Sequence, residues 1–257
     1  MRGRMARWMA AGLAVTAGAM VTSTMAAETT LGLDVNSAYV WRGITLNDGL
    51  VAQPSVDVQM PAGFGVSVWG NMDLDSYNGK FDKGEFSEMD LTASYSFEKG
   101  PFEFSAGVNE YLYPHQTEEM ENGGARALPG TREIFAGVTA DLTHGFSAGV
   151  EGFYDIDEVE DFYAYVKVGY ERDIVEEKLT ASATASAGAA GKDWAAYYSG
   201  GTKGGLHEYE LGIGLTYTPT EALEVGAKVA YVDSLDKDVL SEQDTNVYGG
   251  ASVAFKF

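Results

Sequence analysis

The sequence predicts an all-β protein: a transmembrane antiparallel up-and-down β-barrel of about 12 strands, following a cleaved signal peptide. Three observations carry this. Side chains alternate with period two along the chain after residue 27, tight turns alternate with longer polar loops, and aromatic residues of the apolar register gather at strand ends. The 257 residues divide into a signal peptide, 1–27, and a barrel, 28–257.

The first segment differs from all that follows. Arg2, Arg4 and Arg7 precede an apolar run from Trp8 to Val21, and small residues then lead through Ser23 and Thr24 to Ala26 and Ala27. This is the basic, apolar and small-residue order of an export signal. Its apolar run of about 14 residues is shorter than the ~20 a membrane-spanning helix needs. Cleavage removes three arginines and no acid, taking the formal charge from -21 to -24.

The alternation is clearest in the second half of the chain. Phe162, Ala164, Val166, Val168 and Tyr170 oppose Tyr163, Tyr165, Lys167, Gly169 and Glu171, while Tyr209, Leu211, Ile213, Leu215 and Tyr217 oppose Glu208, Glu210, Gly212, Gly214 and Thr216. Such runs are strands with one apolar face and one polar or tiny face. Candidates fall near 31–42, 51–60, 63–75, 86–98, 101–112, 131–142, 145–156, 160–172, 177–190, 206–218, 222–234 and 245–257. Tight turns sit at Pro61-Ala62, Glu98-Lys99-Gly100-Pro101, His144-Gly145, Asp173–Glu176 and Pro219–Glu221, with longer loops around 43–50, 76–85, 113–130, 191–205 and 235–244 and a shorter one near 157–159. An even strand count with short turns at one end and long loops at the other is the outer-membrane barrel plan.

Aromatic residues form two bands on the apolar register. Phe64, Phe97, Phe102, Phe104, Phe146, Tyr170, Tyr217, Phe255 and Phe257 mark the turn end; Tyr39, Trp41, Tyr154, Phe162, Tyr209 and Tyr231 mark the loop end. Bands at both interfaces suit rings that keep one edge wet. The chain ends on a strand, Val253, Phe255, Phe257, as expected when the last strand pairs with the first and presents a C-terminal signal to the barrel assembly machinery. Outer-membrane lipid and lipopolysaccharide are the other expected partners, and a monomer is favoured.

Composition narrows the function. An acidic chain with 17 basic against 38 acidic residues makes a nucleic-acid partner improbable, since phosphates need Lys and Arg to neutralise them. Without cysteine there is no thiolate nucleophile, disulfide framework or Cys-ligated metal. No metal or other cofactor is expected.

The segment Ser37-Ala38-Tyr39-Val40-Trp41-Arg42-Gly43-Ile44, followed by Gln53-Pro54-Ser55 and Val68-Trp69-Gly70-Asn71, resembles the TorF-type porins and related conserved outer-membrane proteins of unknown function. Those carry a Tyr-aromatic-aromatic-Arg-Gly stretch at the top of the first strand and a Trp-Gly in the third; position 40 is Val here. The motifs span about 40 residues, and the resemblance implies an outer-membrane barrel and a pore, without a substrate.

No enzyme is expected. His115, His144 and His207 read as loop, turn and strand-start residues, none two positions from a Ser with an acid in step, and Gly-x-Ser-x-Gly is absent. Asp73-Leu74-Asp75-Ser76-Tyr77-Asn78-Gly79 lacks a ligand at the first EF-hand position, and Asp155, Asp157, Glu158, Glu160 and Asp161 read as a solvated acidic rim.

The polar register is expected to face inward, because a Lys or Arg facing lipid at the midplane costs about 2–4 kcal/mol. Strands ~4.8 Å apart and tilted ~40° give a backbone diameter of roughly 24 Å and a bore on the order of 10 Å. Pore-lining candidates are Arg42, Asp57, Trp69, Asp90, Glu151, Lys167 and Lys228, with Arg42, Lys167 and Lys228 setting a transverse field. Inward Gly, Ala, Ser and Thr favour a watery lumen. The expected function is a porin-like channel for small solutes, leaning to cations or neutral molecules; the alternative is a closed barrel with a structural or surface-binding role through its long loops.

Overall fold

The computed structural model describes residues 27–76, 82–119, 125–241 and 243–257. The signal-peptide segment through residue 26 and Tyr77–Gly79 of the calcium-like stretch lie outside the described residues. In chain order the strands are β1 (Glu28–Asn36), β2 (Tyr39–Trp41), β3 (Ile44–Asn47), β4 (Val51–Gln59), β5 (Phe64–Asp73), β6 (Phe86–Lys99), β7 (Phe102–Leu112) and β8 (Thr117–Glu119). They continue as β9 (Ala125–Ala127), β10 (Thr131–Asp141), β11 (Phe146–Asp155), β12 (Phe162–Val175), β13 (Leu179–Ala190), β14 (Gly205–Thr220), β15 (Leu223–Ser234) and β16 (Val247–Lys256), with one helix, α1 (Lys192–Tyr198).

Twelve of these strands, β1, β4–β7 and β10–β16, form a closed barrel of consecutive antiparallel neighbours. It closes where β1 meets β16, from Thr30↔Lys256 to Asn36↔Gly250. Closure pairs both edges of the twelve-stranded sheet, so the barrel wall presents no open row of backbone groups among the described residues. The tight turns carry the backbone that such turns need: Ala62, His144 and Glu177 have positive φ, as do Gly63, Gly100 and Gly145.

Alternation sorts the side chains as the period requires. On β14, Leu211, Ile213, Leu215 and Tyr217 are exposed on the outside, while Glu210, Gly212, Gly214 and Thr216 face in. Turn-end aromatics touch across strands on the outer surface, with ring centroids 5.0 Å apart for Phe64–Tyr95, 5.1 Å for Phe97–Phe104 and 4.8 Å for Phe146–Tyr170. The core is not on that surface. It lies inside the loop end, where Tyr39, Trp41, Tyr111, Phe135, Phe153, Tyr163 and Trp194 form one cluster.

Two expectations change here. The first wall strand does not run through residue 42; it stops at Asn36, and β2 and β3 turn back into the barrel as a separate hairpin. Tyr39 and Trp41 therefore leave the loop-end aromatic band and are buried inside, 4% and 6% exposed. The alternation continued through this stretch because β2 is itself extended, but its neighbours are lumen side chains and not lipid.

Candidate functional site

The hairpin fills the loop-end half of the lumen. At its tip Arg42 and Gly43 have φ of 48° and 80°. Two successive left-handed residues make the tight turn that fits a twisted hairpin, and glycine serves the second position best. There is no room for a larger residue: a Cβ on Gly43 would lie 2.8 Å from Glu208 Cβ and 3.0 Å from Leu240 Cδ2.

The turn aims Arg42 at the far wall. Its Nη1 and Nη2 donate to the two carboxylate oxygens of Glu133 on β10, at 2.8 and 2.7 Å. Both side chains are sequestered, 8% and 0% exposed. Around the guanidinium stand Phe153 at 4.1 Å, Trp41 and Tyr163 at 4.4 Å, and Trp194 at 5.5 Å from its Cζ to the ring centres. Glu133 Oε2 also accepts from Tyr111 Oη at 2.8 Å, and Oε1 lies 3.5 Å from Trp194 Nε1. Burial alone would loosen the guanidinium's proton, but Glu133, Tyr111 and Tyr163 together hold the basicity of Arg42 above its ordinary value.

A polar ladder fastens the flank of the hairpin. Asn36 Nδ2 donates to Gln53 at 2.7 Å, Gln53 Nε2 to Asn71 at 3.0 Å, and Asn71 Nδ2 to Ser87 at 2.9 Å; Asn47 Nδ2 and Asn71 Nδ2 both donate to Asp73 Oδ1. Tyr39 Oη donates to Glu88 at 2.9 Å. Helix α1 closes the other side. Asp161 Oδ2 accepts from the backbone N–H groups of Asp193 and Trp194 at 2.8 and 3.0 Å, capping the helix from another loop and fixing Trp194 against Trp41. Val239 and Leu240 of the last long loop are fully packed.

Beneath this plug, the turn-end half keeps an open cavity of about 710 Å³, lined on the inside by Ser182, Thr184, Glu210, Lys228, Tyr248 and Lys256. Charge around the inner wall is unevenly distributed. From β4 to β10 the inward charges are acids, including Asp57, Asp73, Glu88, Asp90, Glu103 and Glu133, whereas the lysines Lys167, Lys228 and Lys256 stand on β12, β15 and β16 among further acids, Asp34, Glu151, Glu210 and Glu224.

The seven sequence candidates divide between these two zones. Arg42 stands on the hairpin tip and not on a wall strand. Trp69 lies against Tyr39, with ring centroids 5.6 Å apart, and Asp90 is 4% exposed beside it on β6. Asp57 is buried on β4. Glu151 accepts from Tyr165 Oη at 2.5 Å, Lys167 occupies the inward register opposite Gly149, and Lys228 Nζ lies 3.7 Å from Asp34. The watery lumen expected from small inward residues is thus confined to the turn-end half; the loop-end half is packed.

Sequence reasoning did not single out Glu133, Phe153, Tyr163 and Trp194 as one site, because only the folded hairpin brings Arg42 to them. A hairpin signal was present: Arg42-Gly43 between Trp41 and Ile44 is an aromatic and aliphatic frame around a turn-favouring glycine. Two further corrections concern side chains read as solvated. His207 is fully buried, its Nδ1 2.6 Å from Glu208. Asp155 is buried and accepts from Thr131 and Tyr198, so the acidic rim contains two structural carboxylates, Asp155 and Asp161.

Similar architectures are known. The chain resembles the solved structure of the KdgM porin with a TM-score of 0.56 at 9% identity, over 89% of this chain and 99% of that one. It resembles a KdgM porin in complex with disordered oligogalacturonate with a TM-score of 0.55 at 9% identity, over 90% and 99%. At these identities the likeness is one of fold. No curated protein matches in sequence. The family described as "Bacterial protein of unknown function (Gcw_chp)" matches residues 20–242, and the chain belongs to that family.

Proposed function

We propose that this protein is an outer-membrane channel for the passive passage of small solutes, leaning to cations or neutral molecules. The observation that carries this is the open cavity of the turn-end half, whose inner lining sets Asp141, Glu171, Glu210 and Glu224 beside Lys228 and Lys256. Charge lining a bore selects ions by sign, and here acids predominate. The exposed apolar outer face and its aromatic bands suit a bilayer with lipopolysaccharide outside, and the expected export signal suits that destination. The KdgM porin's fold and the motif resemblance to TorF-type porins support the channel part. The C-terminal strand suits recognition by the barrel assembly machinery, and the closed sheet leaves a monomer self-sufficient.

The hairpin then acts as the constriction. Planar-bilayer recording tests this with the wild type and a variant in which residues 38–48 are replaced by a short Gly-Ser linker. The hairpin-less barrel is expected to conduct more than the wild type, with a reversal potential of cationic sign in a KCl gradient. No conductance from the folded hairpin-less barrel, or anion preference at neutral pH, sinks the reading.

A second reading, a closed barrel with a surface-binding role, is favoured by the dry packing of the hairpin, α1 and Leu240 at the loop end. Swelling of reconstituted vesicles in small sugars separates the two, since a closed barrel gives none.

A further inference from the structure

The wall of the loop-end lumen holds a binding site for organic cations of the guanidinium class, and we infer that Arg42 occupies it as a built-in stand-in for such a solute. This deepens the channel reading by naming a solute class, and it rests on that reading for its role in transport. The argument is geometric. Glu133 is wholly buried and presents both oxygens to a guanidinium, at 2.8 and 2.7 Å. Phe153, Tyr163 and Trp194 stand around the same carbon at 4.1, 4.4 and 5.5 Å. A carboxylate at the base of an aromatic box is the arrangement that recognises delocalised or alkylated cations, because ring faces attract positive charge and planar N–H pairs match carboxylate oxygens.

None of these four residues belongs to the hairpin. Glu133 is on β10, Phe153 on β11, Tyr163 on β12 and Trp194 on α1. Tyr111 on the wall orients the carboxylate with its hydroxyl, and Asp161 caps α1 and so holds Trp194 in place. When the hairpin withdraws, its Arg42 and Trp41 leave, and a complete anionic aromatic box remains facing the lumen. A solute carrying a guanidinium then competes with Arg42 for the same oxygens, coupling solute entry to hairpin release.

The test is chemical rescue of Arg42→Ala in detergent. Tryptophan fluorescence is titrated with methylguanidinium, with NaCl at equal ionic strength as the control, and folding is checked by heat-modifiable gel migration. The expected result is a saturable response in Arg42→Ala that is about tenfold weaker in Arg42→Ala/Glu133→Gln, reflecting loss of the charged pair. The wild type should not respond at those concentrations, because Arg42 fills the box. A folded Arg42→Ala barrel responding no more to methylguanidinium than to NaCl overturns the inference. If Arg42→Ala folds poorly, refolding yield is compared in the two salts; equal yields overturn it, and a higher yield with methylguanidinium supports it. These readouts need no conductance, so a barrel that binds methylguanidinium yet fails to conduct refutes the channel reading while leaving the binding site intact.

Discussion

Arg42 and Glu133, 91 positions apart in sequence, meet inside the barrel through a bidentate pair whose Nη2–Oε2 distance is 2.7 Å. One belongs to a hairpin of the first long loop and the other to a wall strand, so the pair ties the plug to the barrel wall. An exposed ion pair contributes little, but a buried one cannot lose a partner cheaply, because the remaining charge stays desolvated. The pair is thus better suited to holding one hairpin position than to raising total stability.

Glu133→Gln should loosen the hairpin and leave the wall intact. Removing one partner of a buried pair costs about 3–5 kcal/mol. Hydrogen exchange should quicken across residues 39–47 while the amides of β13–β15 stay protected. Equal protection of the hairpin in both proteins refutes the latch.

Gly43→Ala should act in the same direction through the backbone. Gly43 has φ of 80°, and a Cβ there meets Glu208 and Leu240 at 2.8 and 3.0 Å. A left-handed non-glycine residue costs about 1–3 kcal/mol, before any clash. Protease accessibility of the hairpin should rise in Gly43→Ala and stay at the wild-type level in Gly84→Ala. Gly84 has φ of 85° but nothing near its Cβ, so the comparison isolates the lumen contact.

The wall was legible in the sequence and the plug was not, for a physical reason. Wall strands repeat one environment, lipid on one side and lumen on the other, so Leu211, Ile213 and Leu215 announce their face locally. Tyr39 and Trp41 alternate just as well, yet their apolar side meets protein inside the barrel. Period two reports that a face is dry without saying whether lipid or other side chains dry it. Asp161 illustrates the same limit: its role as a helix cap depends on a helix 32 positions later, by the count to Asp193, and acidic composition alone suggests only a rim.

Asp161→Ala should release α1 without unfolding the barrel. Losing a capping carboxylate costs about 0.5–2 kcal/mol. The seven-residue helix has Gly191 at its N-cap and no other side-chain cap there. Trp194, now 0% exposed, should shift its emission to longer wavelength on partial hydration. Asp161→Asn, which keeps an acceptor, should restore most of the wild-type spectrum.

Lys228→Glu should increase cation preference. Lys228 faces the cavity and lies 3.7 Å from Asp34. Reversing its charge removes one of the lysines that offset the acids of the cavity lining, and the permeability ratio of potassium to chloride should rise about threefold at low salt. The gain should shrink in molar KCl, where the screening length falls to about 3 Å. An unchanged ratio at low salt means that ions do not pass this residue.

The two faces of one strand pair offer the sharpest separation of wall from lumen. Ile213 lies midway between Tyr209 and Tyr217 and is 66% exposed on the outer face, whereas Thr184 of β13 lines the cavity on the inner face. In lipid an arginine at the depth of Ile213 costs about 2–4 kcal/mol, because no water reaches its guanidinium. An arginine at position 184 has the lumen in which to hydrate. Urea-dependent refolding into vesicles should therefore show a large loss for Ile213→Arg and a small one for Thr184→Arg. Conductance should respond the opposite way, falling for Thr184→Arg and holding for those Ile213→Arg barrels that insert. Similar stability losses for both variants would mean that the turn-end cavity is drier than its Ser, Thr and Lys lining implies, and the open half of the lumen would have to be abandoned.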